Sequence, residues 1–189
     1  EPNGLPLDTA VFRHYGDQVE LEHGFSMAGQ PGRLRLLAFR NVAKSARFRD
    51  AIAAAGIGLP DINRVRTGDH AKFGVGLNFE QSLGDAAGVF LRASRADGAT
   101  EAYAFTEIDR SFSGGTVVRG TAWRRPDDTV GLAFARNGLS SAHREYLAAG
   151  GLGFFIGDGT LHYAPESILE GYYSLSLAHA LQLTLDLQR

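Results

Sequence analysis

No cysteine occurs in the 189 residues, and methionine and tryptophan occur once each. The first absence excludes a disulfide scaffold and a thiolate zinc site. An excess of one charge is also missing: 19 Lys and Arg stand against 21 Asp and Glu, a formal net charge of −2. Without a basic excess, no nucleic-acid partner is expected. No run approaches the roughly 18 apolar residues that mark a membrane-spanning helix. Nor is this the composition of a disordered chain, since 44% of residues are hydrophobic and the net charge is small. The opening Glu1-Pro2-Asn3-Gly4 has no methionine, basic stretch or apolar run. A mature form or a fragment, without a signal peptide, is therefore expected. Length and the lack of a linker-like stretch predict one domain over residues 1–189.

Glycine is abundant instead, with 24 residues that follow no fixed period. Many fall inside apolar stretches or at turns, which suits strands joined tightly with little bulk on one face. Period-two alternation is the strongest pattern. In His70–Ser82, Ala71, Phe73, Val75, Leu77 and Phe79 point one way. His70, Lys72, Gly74, Gly76, Asn78, Glu80 and Ser82 point the other. Residues 181–188 repeat this with four leucines against Gln182, Thr184, Asp186 and Gln188, and residues 169–177 do so before them. Residues 18–26 alternate as well, with His23 on the apolar side.

Five further strands are expected over Arg33–Asn41, Gly88–Arg95, Glu101–Asp109, Thr116–Arg124 and Thr129–Asn137, for about nine in all. Leu36-Leu37 interrupts the alternation of the first, which leaves its faces open. Turns are read at Gly29-Gln30-Pro31-Gly32, Gly84-Asp85, Asp97-Gly98, Ser113-Gly114-Gly115 and Pro126-Asp127-Asp128. Short links predict an antiparallel meander. Two segments differ: Lys44–Ala55 and Ser140–Ala149 read as short loop helices, the second capped by Ser140 or Ser141 and stopped at Gly150-Gly151.

Two architectures suit such strands. A soluble all-β fold turns the apolar faces inward; an outer-membrane barrel turns them to lipid and lines a wet lumen with the polar faces. Segments of nine or more residues, charges at mid-strand and glycines on the polar face favour the barrel.

Several motifs resemble one family. Pro31-Gly32-Arg33-Leu34-Arg35-Leu36-Leu37-Ala38-Phe39 with Asn41, followed by Arg47-Phe48-Arg49-Asp50-Ala51, is similar to a strand and helix of the carbohydrate-selective (OprB-like) porins. Residues 126–134 resemble the lead into a late strand, residues 137–159 the loop helix and its glycine-rich continuation, and residues 165–173 the strand that follows. The resemblance runs from about Tyr15 onward. It implies a transmembrane antiparallel β-barrel of a Gram-negative outer membrane that passes sugars by diffusion. Family barrels have about sixteen strands, within the range for such proteins. The resemblance therefore implies a C-terminal half that lacks the last strand. Its partners would be small sugars in transit and outer-membrane lipid, with the oligomeric state open. An exopolysaccharide export or secretion pore, and a soluble all-β binding module, stand as alternatives.

No enzyme is expected. His14, His23, His70, His143, His162 and His179 form no zinc-helix pair, and no nucleophile elbow occurs. Gly150-Gly151-Leu152-Gly153 lacks the Lys-Ser/Thr of a phosphate loop and reads as a helix stop. Asp127-Asp128 and Asp158 lack calcium-loop spacing, so neither a metal nor any other cofactor is expected. Glu20/Glu22 and Glu107/Asp109, each two apart on expected strands, suit a lumen lining better than acid–base work. Sugar passage asks for groups that bond hydroxyls and for an aromatic plate against C–H faces. The polar-face candidates are Glu20, Glu22, Arg35, Lys72, Asn78, Glu80, Arg92, Arg119, Trp123, Glu170 and Asp186. Trp123 is alternatively a residue of the interfacial aromatic girdle.

Overall fold

The computed structural model of the chain describes residues 9–102, 106–154, 156–178 and 180–189. Phe155 and His179, and residues 103–105 of the strand expected over Glu101–Asp109, lie outside them. Eight strands form one antiparallel sheet in strict sequence order: β1 (Tyr15–Met27), β2 (Gln30–Ser45), β3 (Gly68–Ser82), β4 (Ala87–Ala96), β5 (Arg110–Gly120), β6 (Arg125–Gly138), β7 (Glu166–Ala178) and β8 (Leu181–Gln188). Among the described residues β1 and β8 pair only with β2 and β7, so the sheet is open. No described helix is long and apolar enough to cross a membrane.

The strand count departs from the sequence reading. The described parts of Glu101–Asp109 are not strand; they belong to the connection between β4 and β5. Ser113-Gly114-Gly115 is not a turn but the middle of β5. Its glycines clear space for β4: a Cβ on Gly114 would meet Leu91 at 2.7 Å, and one on Gly115 would meet the Phe90 ring at the same distance. The turn expected at Pro126-Asp127-Asp128 falls earlier, as a one-turn 3-10 helix over Thr121–Trp123. Arg124 closes it with φ +63°, and β6 has begun before Pro126. The two loop helices form as expected but shorter: α1 is Phe48–Ala55 and α2 is Ser141–Ala148. Ser140 caps α2, its hydroxyl accepting the amide N–H of His143 at 3.0 Å.

Register assigns every strand residue to a face. Glu22, Arg35, Asn78, Arg92 and Ser113 are successive partners across β1 to β5 and share the polar face. This settles β2: Arg33, Arg35, Leu37, Phe39 and Asn41 share the face of Glu80 and Lys72. Leu37 and Phe39 are tolerated there because their partners are Gly76 and Gly74. Lys44 and Ser45, assigned to the helix from sequence, finish β2.

The opposite face carries apolar side chains that no layer of the described residues covers. Val19 and Leu21 are each 66% exposed, Val75 58%, and Leu187 78%. A soluble sandwich would bury such residues against a second sheet. The packed core lies elsewhere. Three long connections gather at one end of the sheet, where Phe48, Ala51, Ile62, Ala142, Tyr146 and Leu147 bury one another. At the other end the connections are short. Long loops on one side and tight turns on the other are the layout of an outer-membrane barrel.

Candidate functional site

The polar face between β1 and β5 is the most organised surface of the sheet. An open cleft of about 310 Å³ lies there. Because Glu22, Arg35, Asn78 and Arg92 occupy one register row, their side chains stand side by side. Arg35 Nε donates to Glu22 Oε2 at 2.6 Å, and Arg35 Nη1 donates to Glu80 Oε1 at 3.0 Å. Asn78 Nδ2 donates to the same Glu80 oxygen at 3.2 Å. One guanidinium therefore holds two carboxylates of neighbouring strands, and its fork is largely used. Asn78 Oδ1 is buried with no hydrogen-bond partner among the described residues.

Arg92 is placed differently. Its guanidinium carbon lies 5.0 Å from the centroid of the Phe90 ring, which shares its face two residues back. The Phe90 ring rests over Gly115, its register partner. No carboxylate among the described residues forms an ion pair with Arg92. The cleft is completed by Glu20 and by the hydroxyl-bearing Ser94, Ser111 and Ser113. Chemically, this set presents cationic donors, an amide acceptor, hydroxyls and part of an aromatic ring.

The candidates from sequence are therefore brought together only in part. Glu20, Glu22, Arg35, Asn78, Glu80 and Arg92 share one region. Glu170 and Asp186 lie on the polar face of β7 and β8, away from it, and Arg119 lies at the far end of β5 beside Thr129. Lys72 is tied to the loops: its Nζ donates to the Thr100 carbonyl at 3.4 Å and stands 3.9 Å from Asp109. Trp123 is not on a strand with Arg119. It sits in the turn before β6, and its Nε1 donates to Tyr173 Oη at 3.1 Å. Tyr173 donates in turn to Asp128, which also binds Arg125 and the Ser176 amide. Tyr173 shares the apolar face with Val130, so this ring pair stands at the edge of that face.

Sequence reasoning missed Phe90, Ser94, Ser111 and Ser113. Parity with Arg92 was a sufficient signal for Phe90 and Ser94. Ser111 and Ser113 were hidden by the misplaced turn. Glu107 and Asp109, expected as strand neighbours, brace the loops instead. The Glu107 carboxylate accepts the amides of Phe154 and Ile156 at 3.0 and 2.9 Å. Asp109 is buried, and its Oδ2 accepts the Ser140 amide at 2.8 Å and contacts His143 Nδ1 at 3.0 Å. Burial opposes its ionisation, but the bonds from His143 and Ser140 and the Lys72 charge outweigh that and hold its carboxyl below the usual range. His143 in turn stacks on Phe48, with centroids 4.2 Å apart. The described residues contain no cluster of three or more metal-ligating side chains.

The family model for carbohydrate-selective porins of the OprB family matches residues 8–188. The high-pH structure of Pseudomonas putida OprB is similar in fold, with a TM-score of 0.73 at 20% sequence identity. The likeness covers 98% of this chain and 46% of that one, so the chain spans just under half the length of that structure. No curated protein sequence matches.

Proposed function

The chain belongs to the OprB family of carbohydrate-selective porins, and on that premise we propose that it forms part of the wall of a Gram-negative outer-membrane channel through which small sugars diffuse passively. One observation carries this reading: a single sheet with chemically separated faces, neither covered by a layer of the described residues. Exposed leucines, valines and phenylalanines on one face suit lipid chains. Charges, amides, hydroxyls and glycines on the other suit a wet lumen. The open edges of β1 and β8 need partners, because unpaired backbone groups in lipid cost several kcal/mol each. Closure against further strands meets that need.

Passage requires no covalent step. A sugar exchanges water for wall groups and moves on, so the wall must bind weakly at several places. In this reading Glu20, Glu22, Arg35, Asn78, Glu80 and Arg92 are the wall groups around the cleft between β1 and β5, and Arg119, Glu170 and Asp186 belong to the rest of the lining. Lys72 serves as a strut between wall and loops, and Trp123 with Tyr173 anchors the wall at the membrane interface. The test is ion conductance of the full-length protein in a planar bilayer with graded glucose. Steady channels partly blocked by millimolar sugar are expected. Channels unaffected by any sugar would overturn the selectivity, and protein that never inserts would overturn the pore.

A further inference from the structure

We propose that Arg95, Arg110 and Arg136, three arginines on the apolar face of β4, β5 and β6, form a docking site for the phosphate of a lipid headgroup in the outer leaflet. This rests on the pore reading above and adds a partner outside the lumen. Register brings the three together. Arg95 is the partner of Val75 and of Arg110, so both cations share the apolar face. Arg136 is the partner of Phe112, one row of that face further in. Arg95 and Arg110 therefore stand directly opposite each other, with Cβ atoms about 5 Å apart, and Arg136 is diagonal to Arg110. All three are exposed.

Their charge is unspent. Among the described residues none of the three forms an ion pair with a carboxylate. By contrast, Arg40 on the same face donates from Nε and Nη2 to the two oxygens of Asp17 at 3.1 and 2.6 Å. The acidic residues beyond the strand ends are committed elsewhere. Asp97 accepts the Phe73 and Ala99 amides, each at 2.9 Å. Glu107 accepts those of Phe154 and Ile156, and Asp109 is buried against His143. Arg110 extends across Gly138, where an added Cβ would meet its Nε at 2.8 Å, and lies beside the Tyr163 hydroxyl. That contact orients the guanidinium without cancelling its charge. Directly opposed like charges destabilise a sheet, and an anion held between them removes that cost.

Position selects a lipid as the source of the anion. The connections at this end are the long ones, which marks it as the extracellular side. Val118 pairs with Val130, and Val130 with Tyr173 of the interfacial ring pair. From Val118 to Arg110, β5 climbs about 20 Å along the membrane normal, at ~3.3 Å per residue and ~40° tilt. The apolar band of such barrels is about 25 Å tall, so the arginines lie at headgroup depth on the interface opposite Trp123 and Tyr173. Phe112 and Phe134, 49% and 39% exposed, continue the face towards the midplane and suit acyl chains. Arg110 and Arg136 flank an open cleft of about 260 Å³ with Phe112, Gly138 and Pro165, which Ser111 and Asn137 complete. A phosphate group fits there, and its oxygens match the guanidinium fork bidentately.

The experiment titrates the full-length protein in detergent micelles with lipid A carrying its phosphates and with the dephosphorylated lipid. Native mass spectrometry reads the bound lipid. The phosphorylated form should bind about tenfold more tightly, ~1.4 kcal/mol. Arg95→Gln combined with Arg110→Gln should abolish that preference, and Arg136→Gln should reduce it. Arg40→Gln should leave it intact, since that charge is already paired with Asp17. Conductance in planar bilayers should be the same in every variant, because these side chains face lipid. Equal binding of the two lipids by the unaltered protein would overturn the site and leave the pore standing, as would an undiminished preference in the double variant. Displacement of lipid A by an equal concentration of inorganic phosphate would overturn the lipid as source. A changed conductance in the double variant would place the arginines in the lumen and overturn the docking face. If the double variant does not insert, Arg136→Gln reads the same cleft, and an undiminished preference there overturns the site. Absence of channels in the unaltered protein would instead refute the pore.

Discussion

Replacing Phe48 by alanine isolates the loop core from the barrel wall. Phe48 is 2% exposed at the start of α1, stacked on His143 with ring centroids 4.2 Å apart and tilted against Tyr146 at 5.2 Å. Truncating a buried phenylalanine costs about 3–5 kcal/mol through lost transfer and cavity formation. The cavity cannot collapse readily, because both helices are tied to the loops: in α1, Phe48 N donates to the Ala99 carbonyl at 3.1 Å. Ile62 N donates to Tyr146 Oη at 3.3 Å, and Tyr146 donates to the Leu152 carbonyl at 2.9 Å. None of these core residues belongs to a strand. The loss should therefore fall on local opening of the loops and not on the wall. At 1.4 kcal/mol per decade, amide exchange in α1 and α2 should accelerate by roughly two to three and a half decades. Exchange in β3 and β6 should be unchanged. Hydrogen exchange by mass spectrometry on the membrane-reconstituted protein reads both regions at once. Equal acceleration in the strands would refute the separation of loop core from wall. Acceleration below tenfold in α1 and α2 would refute the packing estimate.

Three further outcomes are expected. Leu91→Arg, on the exposed apolar face in one register row with Phe79, Gly114 and Phe134, should weaken folding into bilayers by about 2–4 kcal/mol, whereas Ser94→Arg on the polar face should cost far less; refolding titrations into lipid vesicles compare them. Ser140→Ala removes the α2 cap and the hydroxyl bond to the Gly98 carbonyl, so the α2 segment should lose about 1 kcal/mol, seen as faster exchange of its first-turn amides. Asp109 has a folded pKa below its unfolded value, so its stabilisation is present above about pH 4 and is lost as pH falls through the lower folded value. Limited proteolysis of the loops should therefore rise in acid below about pH 4. Asp109→Asn should flatten that dependence, and an unchanged acid profile in the variant would assign it to another group.

Much of this protein is legible residue by residue. The alternation in His70–Ser82 identified β3 and both its faces, because a strand must send successive side chains to opposite sides. Helix α2 was legible from Ser140 and Gly150, since caps act through local backbone bonds. Where the signal was local but ambiguous, the reading failed. Gly114-Gly115 looks like a turn, and only the bulk of Phe90 and Leu91 on the adjacent strand explains why glycine is needed in mid-strand. Asp109 looked like a strand residue, yet its partners His143 and Ser140 are more than thirty positions away.

The sequence by itself determined the amphipathic strands, the loop helices and the family resemblance, because each is written in short-range spacing. Tertiary structure alone decided which polar residues meet. Arg35 could have faced any of several glutamates, and register placed it between Glu22 and Glu80 while leaving Arg92 on Phe90. Register also decided that Lys72 reaches the loops and that Trp123 meets Tyr173. Pairing between strands is a property of the assembled sheet, set by which faces and turns are compatible at once, and no single segment contains it.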